Sequence, residues 1–134
     1  MSTISDLDDM ARRLREFAIE RDWEQFHSPK NLAMALSVEA SELLEHFQWL
    51  TEEQSSNLKP SELEAVAEEI ADVQIYLVRL ADRLGVDILA ATGRKIIKNG
   101  EKYPADKARG SSKKIYRLSV GRQLILSGYI ATPE

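Results

Sequence analysis

Two pairs of carboxylates stand out by type and spacing: Glu39 with Glu42, and Glu69 with Asp72. Residues three apart are neighbours on a helix surface. Two such pairs on packed helices would place four carboxylates around one small volume. Like charges that close resist ionising together. A hard divalent cation with oxygen preference relieves the repulsion, Mg²⁺ first, with Mn²⁺ as a substitute. The metal could then bridge protein carboxylates and the phosphates of a substrate. A single Glu-x-x-Glu carries little weight, because Glu is a good helix former and common on exposed helices. Glu45, Glu62, Glu64 and Glu68 are read as solvated.

Four helical segments are expected to position these groups. The first runs from about Ser5 to Arg21, with Leu7, Met10, Leu14 and Phe17 at helical spacing. A loop follows around residues 23–28. Ser28-Pro29 reads as an N-cap with proline at the first helical position, and the second helix is expected to reach about Leu50. Its apolar stripe is Leu32, Leu36, Ala40, Leu43, Phe47 and Leu50, with Glu39, Glu42 and His46 along one edge. Lys59-Pro60-Ser61 starts a third helix to about Leu84, with Gly85 as its C-terminal cap. Its expected stripe is Leu63, Val66, Ile70, Val73, Leu77 and Leu84, with Glu69, Asp72 and Tyr76 along an edge. A fourth helix is expected from about Asp87 to Asn99-Gly100. The expected fold class is all-α and bundle-like, with residues 1–104 as a helical domain and residues 105–134 as a basic C-terminal arm. Residues 115–134 read equally as a short hairpin or a helical turn.

The chain has 134 residues, a one-domain length, with 43% apolar and 30% charged residues, which suits a soluble globular protein. No apolar run reaches the roughly 20 residues that span a bilayer. The acidic start lacks the apolar core of a secretory signal. There is no cysteine, which removes disulfides and thiolate metal sites. These features suit a cytoplasmic location. The net charge of −4 conceals an asymmetry. Residues 1–93 hold 8 Lys+Arg against 19 Asp+Glu, and residues 94–134 hold 10 against 3. An acidic body with a basic end can be a metal site facing a phosphate-binding end, or simply a solvated acidic protein with a basic tail. A di-iron carboxylate bundle would need Glu-x-x-His motifs. His46 follows Leu43 at that spacing, and His27 follows Glu24 outside the second helix, so that class fits poorly.

The string NLAMALSVEASELLEHFQW, Asn31 to Trp49, resembles the first motif of the MazG-like nucleoside triphosphate pyrophosphohydrolases. EEIADVQIYLVRLAD, Glu68 to Asp82, resembles their second motif. RDWEQFHSPKN, Arg21 to Asn31, is similar to the branch containing the deoxycytidine triphosphate pyrophosphatases. RKIIKNGEKYP, Arg94 to Pro104, resembles the family's Lys-x-x-x-Asn-x-x-Lys-Tyr-Pro ending. The resemblance spans about residues 5–114. It implies an all-α homodimer or homotetramer that cleaves a nucleoside triphosphate to monophosphate and pyrophosphate with Mg²⁺. By position it implies Glu39, Glu42, Glu69 and Asp72 as metal ligands, and Trp23, Trp49 and Tyr76 around the base. It also implies Lys95, Asn99, Lys102 and Tyr103 for the phosphates. His46 and Ser41 depart from the family's usual apolar and glycine residues.

Glu39 is taken as the general base of this chemistry. Trp49 follows Glu42 by seven residues and Tyr76 follows Glu69 by seven, so each aromatic lies two turns from a carboxylate on nearly the same face. Core or interface packing would explain the same aromatics. Two other classes stay open: a helical interaction or regulatory protein that has lost catalysis, and a nucleic-acid binder using the basic arm. Four intact carboxylates argue against the first. The arm's few aromatics weaken the second.

Overall fold

The structure, a computed structural model, describes residues 2–112. The expected hairpin or turn in residues 115–134 lies outside the described residues. Among those described, every regular element is helical: α1 Leu7–Glu20, a 3₁₀ turn Glu24–Phe26, α2 Pro29–Glu45, α3 Glu52–Ser55, α4 Pro60–Leu84, α5 Ile88–Lys102 and α6 Ala105–Ala108. The chain divides into two compact units, Met1–Ala91 and Thr92–Glu134.

Local chemistry fixes the helix starts. The Asp6 carboxylate accepts from the Asp9 N–H at 2.8 Å, and the Ser28 hydroxyl from the Asn31 N–H at 3.1 Å. Pro29 and Pro60 occupy first-turn positions where no amide donor is needed. Glu62 reaches back to accept from the Lys59 N–H at 3.0 Å. Gly85, with φ +67°, ends α4 in the left-handed region, where the absence of a Cβ removes the steric cost.

Two expectations need correcting. The second helix stops at Glu45 rather than near Leu50. Its ladder tightens into turns, with the Phe47 N–H on the Leu44 carbonyl at 2.9 Å and the Leu50 N–H on the Phe47 carbonyl at 2.9 Å. Thr51 and Gln54 then form a capping box that starts α3, an element the sequence reading passed over. Likewise α6 occupies the start of the segment read as a basic C-terminal arm.

The α4 stripe is also rotated. α4 packs chiefly against α2 and secondarily against α1. The buried side chains of this unit are Ala18, Leu32, Val66, Val78, Arg79 and Ala81. Leu63, Ile70, Leu77 and Leu84, expected inside, are 57%, 55%, 40% and 56% exposed, and Ala40 on α2 is exposed too. Glu39, Glu42, Glu69 and Asp72 are each more covered than those neighbours, so the carboxylates belong to the packed side of the helix pair.

The exit from α1 orients the next segment. The Trp23 N–H donates to the Ala18 carbonyl at 2.9 Å and the Asp22 N–H to the Ile19 carbonyl at 3.0 Å, a Schellman closure with Asp22 at φ +52°. A left-handed non-glycine residue carries a cost of roughly 1–2 kcal/mol, least for Asp and Asn. Asp22→Val is therefore expected to destabilise the fold by about 1–2 kcal/mol. Asp22→Gly should cost nothing measurable. Denaturant midpoints of the two variants check this, and equal losses in both would contradict it.

Candidate active site

α2 presents Glu39 and Glu42, and α4 presents Glu69 and Asp72. One carboxylate oxygen from each of Glu39, Glu69 and Asp72 lies within 4.8 Å of the others. Glu42 stands one turn beyond Glu39 on α2 and adds its charge to the group. Oε2 of Glu39 and Oε2 of Glu69 are buried with no hydrogen-bond partner. A buried carboxylate oxygen without a donor is costly, more so than a neutral group. His46 is the nearest cationic candidate, its Nε2 4.0 Å from Glu69 Oε1 and outside hydrogen-bond range.

This donor set fits a divalent cation. The ligands are all hard oxygens, and a cation held about 2.1–2.5 Å from two oxygens separates them by no more than about 4–5 Å. The two orphaned oxygens would gain a partner from such an ion.

Electrostatics point the same way. The Glu39 carboxyl is pushed up from its ordinary 4.5 to about 7, first by desolvation, then by its hydrogen bond to Glu42 and the charges of Glu42, Asp72 and Glu69. A carboxyl raised in the folded state favours folding when protonated. Its contribution is fully present below about pH 4.5 and is lost as pH rises through 7. His27 works in the opposite sense, because burial, with help from Arg79 and Arg83, holds its imidazole below the ordinary 6.5. The clean measurement is thus a difference. Between pH 5 and 7.5 the metal-free protein should lose stability relative to Glu39→Gln, and a saturating divalent cation should remove that divergence. Parallel melting-temperature curves without metal would contradict the assignment.

A second feature of the same unit is a cavity of about 190 Å³ with apolar walls from Leu14, Phe17, Trp23 and Tyr76, and with His27 and Arg79 as its polar members. Trp23 stands edge-on to Phe17 (centroids 5.9 Å apart) and to His27 (6.4 Å). Arg79 is only 3% exposed. Its Nε donates to His27 Nδ1 at 3.3 Å and its Nη1 to Asp82 Oδ2 at 3.0 Å, while Nη2 hydrogen-bonds nothing and lies 3.7 Å from Glu24 Oε1. Asp82 also takes a two-pronged bond from Arg15, at 3.0 and 2.6 Å. That pairing with Arg15, with Arg79 beside it, holds the Asp82 carboxyl below its ordinary value.

The structure therefore brings Glu39, Glu69 and Asp72 together, with Glu42 acting on Glu39, and sets Trp23 and Tyr76 around one cavity. Trp49 is 87% exposed and does not line the cavity. Lys95, Asn99 and Lys102 share an exposed face of α5, and the Lys102 ammonium lies 5.3 Å from the Tyr103 ring centroid. Sequence reasoning missed Arg79 and gave His27 no place in a pocket. The usable signal was spacing: Arg79 follows Tyr76 by three residues and Asp72 by seven, a charge on the face that carries the carboxylates.

Among the described residues, no helix is long and apolar enough to cross a membrane. The MazG-like family model matches residues 34–118. Human dCTP pyrophosphatase 1 is 48% identical over 117 residues, covering 86% of this chain and 69% of the human protein. The mouse protein of the same name is 47% identical over the same shares. A crystal structure of a pyrophosphatase from Archaeoglobus fulgidus superposes with a TM-score of 0.71 at 39% identity, covering 78% of this chain and 97% of that one. With the family model matching well over half its length, this all-α chain belongs to the MazG-like family.

Proposed function

We propose that the chain is a nucleoside triphosphate pyrophosphatase that cleaves a (deoxy)nucleoside triphosphate of the dCTP class to monophosphate and pyrophosphate. The observation that carries this is the meeting of the Glu39, Glu69 and Asp72 carboxylates, under the added charge of Glu42, with two orphaned buried oxygens. The family and its relatives named for dCTP supply the substrate class. Glu39, Glu42, Glu69 and Asp72 would hold Mg²⁺, with Mn²⁺ as a substitute. When bound, the ion supplies charge stabilisation at the phosphate oxygens and orients a water.

The chain's own residues do the rest. Glu39 takes the proton of the attacking water as a new phosphorus–oxygen bond forms. The bond between the α- and β-phosphoryl groups breaks, and its electron pair leaves with pyrophosphate. Lys95 and Lys102 offset charge on the polyphosphate, and Asn99 and Tyr103 add neutral hydrogen bonds. Trp23 and Tyr76 stack the base. Residues 1–104 form the catalytic part and residues 105–134 a basic arm. The assembly is a homodimer or homotetramer in the cytoplasm, with no membrane or nucleic-acid partner.

The test is incubation with Mg²⁺ and a panel of nucleoside triphosphates, followed by separation of products. Monophosphate and pyrophosphate are expected. Orthophosphate with a diphosphate would contradict the cleavage site. No turnover of any nucleotide would favour a helical interaction protein instead.

A further inference from the structure

We propose that Arg79 and His27 select the base by donating hydrogen bonds to two adjacent acceptors on its Watson–Crick edge, a pair that among the common bases only cytosine presents there. This rests on the nucleotide substrate proposed above. A cavity of about 190 Å³ suits a single six-membered ring; an apolar cavity of about 150 Å³ takes benzene. Its aromatic walls can stack any base and therefore discriminate weakly. Discrimination needs polar groups, and beside the Trp23 N–H and the Tyr76 hydroxyl the lining holds Arg79 and His27. Arg79 Nη2 carries two N–H donors and makes no hydrogen bond, its ion pair with Glu24 Oε1 being a loose one at 3.7 Å, although the side chain is 3% exposed. The other corners of the guanidinium are committed to His27 and Asp82, which fixes its plane. Because His27 Nδ1 accepts from Arg79, the neutral imidazole keeps its proton on Nε2 and is itself a donor.

Both groups thus offer donors. Cytosine carries acceptors at O2 and N3 side by side. Uracil and thymine place an N–H at position 3, which would meet a donor with a donor. Adenine offers one ring acceptor on that edge, and guanine presents N–H groups beside one carbonyl. Placement along the chain agrees: Arg79 lies two turns, about 10 Å, beyond Asp72 on α4. The base would then hang from phosphates held at the carboxylates.

The experiment compares kcat/KM for dCTP, dUTP and 3-deaza-dCTP, whose N3 is a C–H, on the full-length protein, Arg79→Lys and His27→Phe. Wild type should prefer dCTP over each of the others by at least about 100-fold, as expected where buried donors would be left unpaired. In Arg79→Lys that preference should fall below about tenfold. His27→Phe keeps a ring and removes the donor, so it should also narrow the ratio. Circular dichroism and melting temperatures establish that each variant is folded. A merely structural role would lower all three values together and leave the ratios unchanged. Unchanged ratios in both folded variants, or wild-type indifference to the N3 replacement, would overturn the proposal while leaving the pyrophosphatase reading intact. Loss of all wild-type turnover would remove both. Quenching of tryptophan fluorescence by dCMP and by dUMP without metal gives a second readout: wild type should bind dCMP more tightly, and Arg79→Lys should bind both alike.

Discussion

Glu42→Gln and Asp72→Asn are each expected to lower turnover by at least about 100-fold while leaving the helices intact. Even groups that only orient a metal's ligands typically cost 10–100-fold when removed; Asp72 is one of the clustered carboxylates and Glu42 bears directly on Glu39. The same substitutions should stabilise the metal-free chain. Each removes one of the charges that push the Glu39 carboxyl up to about 7. Relief of order 1 kcal/mol corresponds to a rise of roughly 3–5 °C for a domain of this size. The two effects have opposite sign, which separates this explanation from general damage. Turnover at fixed Mg²⁺ and melting with a chelator measure them independently. Near-normal turnover in either variant would remove that residue from the ligand set.

On the proposed dimer or tetramer, Ile70→Glu combined with Leu77→Glu is expected to split the assembly into monomers. Leu63, Ile70, Leu77 and Leu84 recur every seven residues on α4 and are all substantially exposed in the single chain. A sustained seven-residue apolar row is the pattern by which helices pair. Placing two carboxylates in its middle would bury unpaired charge, so the association constant should fall by at least about 1,000-fold. Light scattering across a dilution series reads this directly. A wild-type protein that is monomeric and active at every concentration would sink the idea.

The same row shows what the sequence could and could not disclose. Helix starts were legible because they are local: Ser28-Pro29, Lys59-Pro60 and Gly85 act within a turn of the chain. The two carboxylate pairs were legible because spacing alone puts each pair together. The face of α4 turned inward was not legible. Its apolar residues cover more than one stripe, and periodicity cannot tell a face turned to the chain's own core from one left uncovered. The end of α2 was missed because no glycine or proline marks it; a gradual tightening of the ladder does. Arg79 was missed because a lone arginine in an apolar helix reads as a surface charge. Only the fold shows it nearly sealed from solvent against His27 and Asp82. The aromatics divide similarly: Trp23 meets Tyr76 through a left-handed turn, whereas Trp49 stays outside.

Asp82 binds Arg15 of α1 with one hand and Arg79 of the cavity wall with the other. Helix α1 therefore cannot fray independently of that wall: opening it frees a carboxylate beside a buried guanidinium. Amide protons along the second half of α1, through the turn to His27, are expected to exchange as one cooperative unit with those of α4 around Arg79. Cutting the link at Arg15, on the outer surface, should split that unit in two and speed exchange at Trp23 before it does so at Val66.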